Sequence, residues 1–138
     1  MASEKKRVLV LCTGNSCRSQ MAEAWVNQLL GAEWEARSAG TTPAPRVHPL
    51  AVRAMAEVGI DIAQEYPKPW TQEVVQAADV VVTMGCGDTC PYFPGRRYED
   101  WELTDPAGQP IEVVRDVRDD IEQRVRELVA SLALTALR

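Results

Sequence analysis

Residues 12–19 read Cys-Thr-Gly-Asn-Ser-Cys-Arg-Ser, directly after the apolar run Val8-Leu9-Val10-Leu11 and before an amphipathic segment. A thiol followed after five residues by an arginine lets a tight loop wrap one tetrahedral anion with backbone N–H groups while the guanidinium grips two oxygens. Phosphate and arsenate have that shape. Where the loop opens a helix, unpaired amides and the positive dipole end favour a bound oxyanion and an ionised thiol at the same place. Cys12 is therefore the expected nucleophile and Arg18 the anion clamp, with Thr13, Gly14, Asn15, Ser16, Cys17 and Ser19 completing the substrate loop. Gly14 permits close backbone approach, Asn15 tolerates the left-handed region, and Ser16 and Ser19 supply hydroxyls. Taken singly, Cys12 would merely fill a buried strand end and Gly-Asn-Ser would be an ordinary turn; strand, Cys-x5-Arg, Ser and helix in this order favour chemistry. Cys17, in the first turn of the helix, is expected to pack rather than react.

A second cysteine pair lies in residues 85–95, Gly-Cys-Gly-Asp-Thr-Cys-Pro-Tyr-Phe-Pro-Gly, a segment rich in glycine and proline. On one helical turn Cys86 and Cys90 would face the same side roughly 6 Å apart, near the outer limit for a disulfide, so closing the bond would distort the turn. If the strands are parallel, their C-terminal ends share an edge and the loop after Met84 lies beside the Cys12 loop. Two other accounts stay open. Cys12/Cys17 and Cys86/Cys90 have roughly metal-like spacing, although zinc would consume the nucleophile and set a dication where Arg18 and the amides await an anion. Alternatively, Cys86 and Cys90 are buried and inert. A carboxylic acid that protonates the leaving oxygen is worth about 10²–10⁴ in rate. Asp105, in Asp105-Pro106-Ala107-Gly108, is favoured for that role over Asp100, even though Asp-Pro is also a common turn opener. His48, the single histidine, is expected to cap the helix that begins at Pro49.

The elements that must hold these groups follow from hydrophobic patterning. Residues 7–12 and 79–84 are continuous apolar runs, as expected for strands buried on both faces of a parallel sheet. Residues 34–38 and 97–101 read as shorter strands. Met21, Ala22, Trp25, Val26 and Leu29 recur at helical spacing over 19–30, with Gly31 as the stop; residues 49–58 repeat that logic, with Gly59 after the end. A last helix over about 111–134 aligns Val114, Val117, Ile121, Val125, Leu128 and Leu132, with Arg118/Glu122 and Asp120/Arg124 paired outside. The four tryptophans Trp25, Trp34, Trp70 and Trp101 are expected to pack in the core or at its edge. Alternating strands and helices give an α/β three-layer sandwich around a central four-stranded parallel sheet.

At 138 residues and 46% hydrophobic, the sequence supports one core, so residues 1–138 read as a single domain. A net charge of −5 argues against nucleic acid or an anionic membrane surface as partner. Without a signal peptide or a run of some 18 apolar residues, the expected location is the cytoplasm, where structural disulfides are rare and cysteines serve catalysis, redox work or metal.

Cys12 to Ser19, Met21-Ala22-Glu23-Ala24, Ser38-Ala39-Gly40, the Cys86/Cys90 loop and Asp105-Pro106-Ala107-Gly108 together resemble the thioredoxin-coupled arsenate reductases, which share the low-molecular-weight protein tyrosine phosphatase fold. The likeness spans nearly the whole chain. The first motif fits the wider phosphatase superfamily, and the added cysteine pair singles out the reductases. Aromatics that wall in a substrate ring usually follow Asp-Pro in the phosphatases; Ala107-Gly108 gives no such wall and favours a small inorganic anion. The spacing Cys86-x3-Cys90 is shorter than in the best-known reductases. The resemblance implies that Cys12 attacks arsenate, that Cys86 and then Cys90 carry the oxidation away as disulfides, and that thioredoxin is the reductant, with no tightly bound cofactor and a monomeric protein. Some members hold potassium through Asn, Glu, Ser and Asp; Asn15, Glu23 and Ser38 match, but Lys68 stands where the Asp should be, so an ammonium group is expected in place of the ion and no metal. The alternatives are a low-molecular-weight phosphatase with an incidental cysteine pair and a non-enzymatic thiol-based arsenic or metal-binding protein.

Overall fold

Two apolar runs form the middle of the sheet. In the computed structural model, which describes residues 6–30, 34–84, 97–106 and 108–136, β1 (Lys6–Cys12) pairs in parallel with β3 (Val80–Met84) from Val8↔Val80 to Cys12↔Met84. Gly31, Cys86, Cys90 and Ala107 lie outside the described residues. β2 (Trp34–Gly40) flanks β1 on the other side and β4 (Arg97–Asp100) flanks β3, giving an all-parallel sheet of order β2-β1-β3-β4. Val8, Leu9, Val10 and Leu11 are all buried, as are Val80, Val81 and Val82, because both faces of the central strands are covered.

The covering layers differ in weight. On one face α1 (Arg18–Leu29), α2 (Pro49–Glu57) and α4 (Ile111–Ala136) pack Met21, Val26, Met55, Ile121 and Val125 over Val8, Val10, Val80 and Val82. The opposite face is closed by α3 (Gln72–Gln76) and its surroundings, where Val75 and Ala78 meet Leu9, Leu11 and Val81. The chain steps one way from β1 through α1 to β2 and returns past β1 to reach β3; the return begins with α2 on the α1 face and ends with α3 on the opposite face, where a right-handed crossover enters β3. The three-layer reading holds. The sequence reading had no α3, whose five residues are too few to show a period. Expected boundaries elsewhere fall within a few residues, and Val114, Val117, Ile121, Val125, Leu128 and Leu132 are buried along one side of α4.

One expected pairing is wrong. Asp120 and Arg124 do pair at 3.0 Å, but Arg118 turns inward from Glu122 to Ala54 O at 2.9 Å and Glu57 at 3.0 Å, while Glu122 takes Arg126. α2 passes close by, and its carbonyl and carboxylate offer Arg118 more than an exposed neighbour can. Arg115 also bonds Glu57, chiefly holding that carboxyl down at about 2. Among the described residues no helix is long and apolar enough to cross a membrane.

Strand order reverses between β1 and β3, which places the crevice for a ligand at their C-terminal ends, where Cys12 and Met84 stand side by side. Gly40 flanks Cys12 on the other side. Its N–H donates to Lys68 O at 2.8 Å and its carbonyl accepts from Trp70 N–H at 3.1 Å, so residues 68–70 seal the outer edge of β2. A Cβ at position 40 would lie 2.6 Å from Thr13 O and 2.9 Å from Asn15 N, both backbone atoms that cannot swing away. Gly40→Ala is expected to cost about 1–3 kcal/mol in urea unfolding and to weaken phosphate binding by the loop; parent stability with parent affinity would show that the loop yields.

Candidate active site

The loop from Cys12 to the start of α1 is tied down by its carbonyls. Cys12 O accepts from Thr41 N–H at 3.2 Å, Thr13 O from Thr42 N–H at 2.8 Å, Gly14 O from Ala44 N–H at 2.9 Å and Ser16 O from His48 N–H at 3.0 Å. Asn15 O accepts from Gln20 Nε2 at 3.1 Å, and Cys17 O from Met21 N–H at 3.0 Å inside the first helical turn. In a trans peptide the C=O and the following N–H point opposite ways, so tethering every carbonyl from Cys12 to Cys17 outward turns the N–H groups of residues 13–18 the other way. Asn15 N–H gives the direction: it donates to Cys12 Sγ at 3.1 Å. Such a concave row of amides is an anion cradle.

Cys12 Sγ also lies 2.8 Å from Ser19 Oγ. Asn15 Nδ2 donates to Ser19 Oγ at 2.8 Å, and the hydroxyl keeps its own proton, which it can give to an ionised Cys12 sulfur. The orientation of the Asn15 amide is itself fixed, because Lys68 N–H, which can only donate, reaches Asn15 Oδ1 at 2.9 Å. Cys12 Sγ therefore has one fixed donor, Asn15 N–H, and a hydroxyl beside it. Asn15 is fully buried at φ 49°, in the left-handed region that asparagine tolerates.

Arg18 is buried, and its Nη2 lies 3.9 Å from Asp105 Oδ2, whose side chain is 63% exposed. Asp105 thus meets the loop from the solvent side. Asp100, the other candidate acid, accepts from Thr83 Oγ1 at 2.7 Å across the sheet edge. Cys17 sits in the apolar core, and burial, outweighing the nearby Arg18 guanidinium, pushes its thiol up to about 12. A thiol held protonated at neutral pH is a poor nucleophile and a poor zinc ligand. His48 Nδ1 accepts from Leu50 N–H at 3.1 Å and caps α2, while its own N–H holds the loop at Ser16 O.

The sequence reading did not identify Gln20, the backbone of residues 66–68 or the 41–48 strap as parts of this site. Gln20 left no signal of its own, since it follows the polar Arg18 and Ser19 at the start of α1, and a backbone donor leaves none either.

Glu23, Ser38 and Lys68 line a cavity of about 650 Å³ along the outer edge of β2. Lys68 reaches Asn15 through its backbone N–H; its ammonium instead donates to Tyr66 O at 3.1 Å and lies over the Tyr66 ring. Burial raises the Glu23 carboxyl above its ordinary value, Lys68 opposes that rise, and Ser38 adds a smaller opposing effect, although Ser38 Oγ has no partner of good hydrogen-bond geometry. A carboxyl that binds its proton more tightly when folded opposes folding at pH values above its ordinary range, and this opposition fades as pH falls below about 4.5. Glu23→Gln should therefore raise stability at pH 7.5 and leave it unchanged at pH 4. Lys68→Ala should lower stability at pH 7.5 by about 0.5 kcal/mol, and by much less in the Glu23→Gln background. Urea melts of the four proteins at both pH values test this, and an equal Lys68→Ala loss in both backgrounds would disconnect the two residues.

Residues 7–136 match the family model described as low molecular weight phosphotyrosine protein phosphatase. The arsenate reductase of Halalkalibacterium halodurans is 47% identical over 132 residues, covering 88% of this chain and 94% of that protein. The solved thioredoxin-dependent arsenate reductase of Corynebacterium glutamicum superposes with a TM-score of 0.86 at 41% identity, covering 98% of this chain, which spans 65% of that longer one. An arginine phosphatase of Geobacillus stearothermophilus superposes with a TM-score of 0.84 at 30% identity, with 96% of each chain covered. The oxyanion loop, the sheet order and these likenesses agree: the chain belongs to the low molecular weight phosphotyrosine protein phosphatase family and groups there with the arsenate reductases.

Proposed function

We propose that this protein reduces arsenate to arsenite through a relay of Cys12, Cys86 and Cys90 that thioredoxin resets. The observation that carries the reading is the pair of hydrogen bonds on Cys12 Sγ within a loop whose peptide N–H groups and Arg18 suit a tetrahedral anion. The cysteine pair that begins two residues after Met84, the neighbour of Cys12 across the sheet, favours reduction over hydrolysis.

Arg18 and the loop amides bind arsenate, and the Cys12 thiolate attacks arsenic. Asp105 gives a proton to the departing oxygen, which leaves as water and yields a Cys12–S–As(V) adduct. The Cys86 thiolate then attacks Cys12 Sγ. The S–As bond breaks with its electron pair going to arsenic, which leaves as arsenite, and a Cys12–Cys86 disulfide forms. Cys90 attacks Cys86, moving the disulfide to Cys86–Cys90 and freeing Cys12 as a thiolate. The thioredoxin dithiol reduces that last disulfide, so two electrons pass from thioredoxin to each arsenate. The scheme needs no bound metal or tightly held cofactor, and we assign it to a cytoplasmic monomer that binds neither nucleic acid nor membrane.

The phosphatase reading is kept because the arginine phosphatase shares the architecture throughout. Both activities begin with Cys12, and they part at the cysteine pair. With arsenate, thioredoxin, thioredoxin reductase and NADPH, cofactor oxidation is followed beside hydrolysis of an aryl phosphate. Cys12→Ser should abolish both. Cys86→Ser and Cys90→Ser should each stop multiple turnover of arsenate and spare hydrolysis, whereas loss of both activities would assign that pair to folding or metal. Arg18→Lys should raise the phosphate inhibition constant at least roughly tenfold, since a point charge cannot reproduce the planar two-oxygen grip.

A further inference from the structure

We infer that Gln20 is a positioning residue that sets Asn15 and, through it, both hydrogen bonds on the Cys12 sulfur. The inference rests on the reading of Cys12 as nucleophile and names a residue that acts behind it. Gln20 is fully buried in the first turn of α1. Its Nε2 lies 3.1 Å from each of Asn15 O, Asn15 Oδ1 and Tyr66 O. With two protons for three acceptors, one bond is shared, and the amide is held wholly by its donor end. Gln20 Oε1 has no hydrogen-bond partner among the described residues. Packing alone would be served better there by a methionine, which buries no polar atom, so the donor end must supply what the site uses.

Gripping both oxygens of Asn15 fixes two things at once. The bond to Asn15 O sets the peptide on one side of a left-handed residue. The bond to Asn15 Oδ1 points Nδ2 at Ser19 Oγ, which is thereby held 2.8 Å from Cys12 Sγ. The third bond, to Tyr66 O, joins the strap whose Lys68 N–H also reaches Asn15 Oδ1. The carbonyls of Thr13, Gly14 and Ser16 are held independently by the 42–48 segment, so anion binding should survive the loss of Gln20.

Gln20→Met keeps the volume and removes the donors; Gln20→Glu keeps the shape and turns an oxygen toward three oxygens. In single-turnover arsenate reduction and in aryl-phosphate hydrolysis, kcat should fall roughly tenfold in Gln20→Met and further in Gln20→Glu, while phosphate affinity stays within about threefold. Asn15→Gly retains the left-handed backbone without the amide, and adding Gln20→Met to it should cost much less than in the parent. Parent rates in both variants, additive losses, or rate, affinity and melting temperature falling together would overturn the inference. Should the variants not fold, the unaltered protein still decides. The Gln20 side-chain amide protons should exchange slowly with solvent and shift on alkylation of Cys12 by iodoacetamide; an amide that exchanges freely and ignores the alkylation overturns the proposal. A Cys12→Ser protein that stays active would instead remove the nucleophile assignment itself, which keeps the two failures apart.

Discussion

Asn15 holds a left-handed backbone at φ 49° with its side chain completely buried, a conformation that costs an L-residue roughly 1 kcal/mol or more. It persists because its surroundings leave no alternative. Gln20 takes both oxygens, Lys68 N–H takes the amide oxygen again, and Ser19 accepts from the amide nitrogen. Elements far apart in sequence thus meet on one side chain, and the backbone N–H that the left-handed turn swings inward is the one that reaches Cys12. The turn cannot relax without taking a donor off the sulfur. That is why the loop is strapped to residues 41–48 along its outer side and why glycine alone fits at position 40 beneath it.

Two thiols five residues apart meet different surroundings. Cys12 ends a central strand at the sheet edge, beside the Asn15 N–H and the Ser19 hydroxyl. Cys17 enters α1 facing the core, and although Arg18 is its neighbour, desolvation wins and leaves it a protonated packing group at about 12. Adjacency in sequence to a guanidinium therefore decides little. What decides is whether water or a fixed dipole replaces the solvation that an ionised sulfur needs.

Much of this is legible in the sequence. Buried β1 and β3 advertise themselves as unbroken apolar runs, and a parallel sheet then fixes which ends of the strands share an edge. Cys12, Asn15, Ser19 and Arg18 were legible because local spacing alone confines them to one turn of chain. Asp105 was legible only through its place after the fourth strand. The rest depends on tertiary hydrogen bonds from backbone groups, which every residue possesses and which no pattern of side chains marks. Lys68 illustrates the limit: its ammonium does offset Glu23, as its sequence position suggested, but it donates to Tyr66 O, and the contact with Asn15 is made by its backbone N–H. Arg118 was misassigned for a related reason, since an i,i+4 partner is visible in sequence and a carbonyl on another helix is not.

A cradle of amides with one arginine does not by itself choose between hydrolysis and reduction, because phosphate and arsenate present it with the same charge and nearly the same shape. The choice falls after the nucleophile has attacked. Phosphorus has no accessible lower oxidation state to accept a pair of electrons, so an adduct on Cys12 can go forward only to water. Arsenic can take the pair from the S–As bond, provided another sulfur arrives at Cys12 Sγ from the side away from arsenic. In the proposed relay the outcome turns on what the sheet edge brings to Cys12, and the register gives that edge Gly40 on one side and Met84 on the other. The Gly40 side is closed by the 68–70 segment and leaves no room even for a Cβ. On the other side stands Met84, and the second residue after it in the sequence is Cys86, the thiol on which the proposed relay depends.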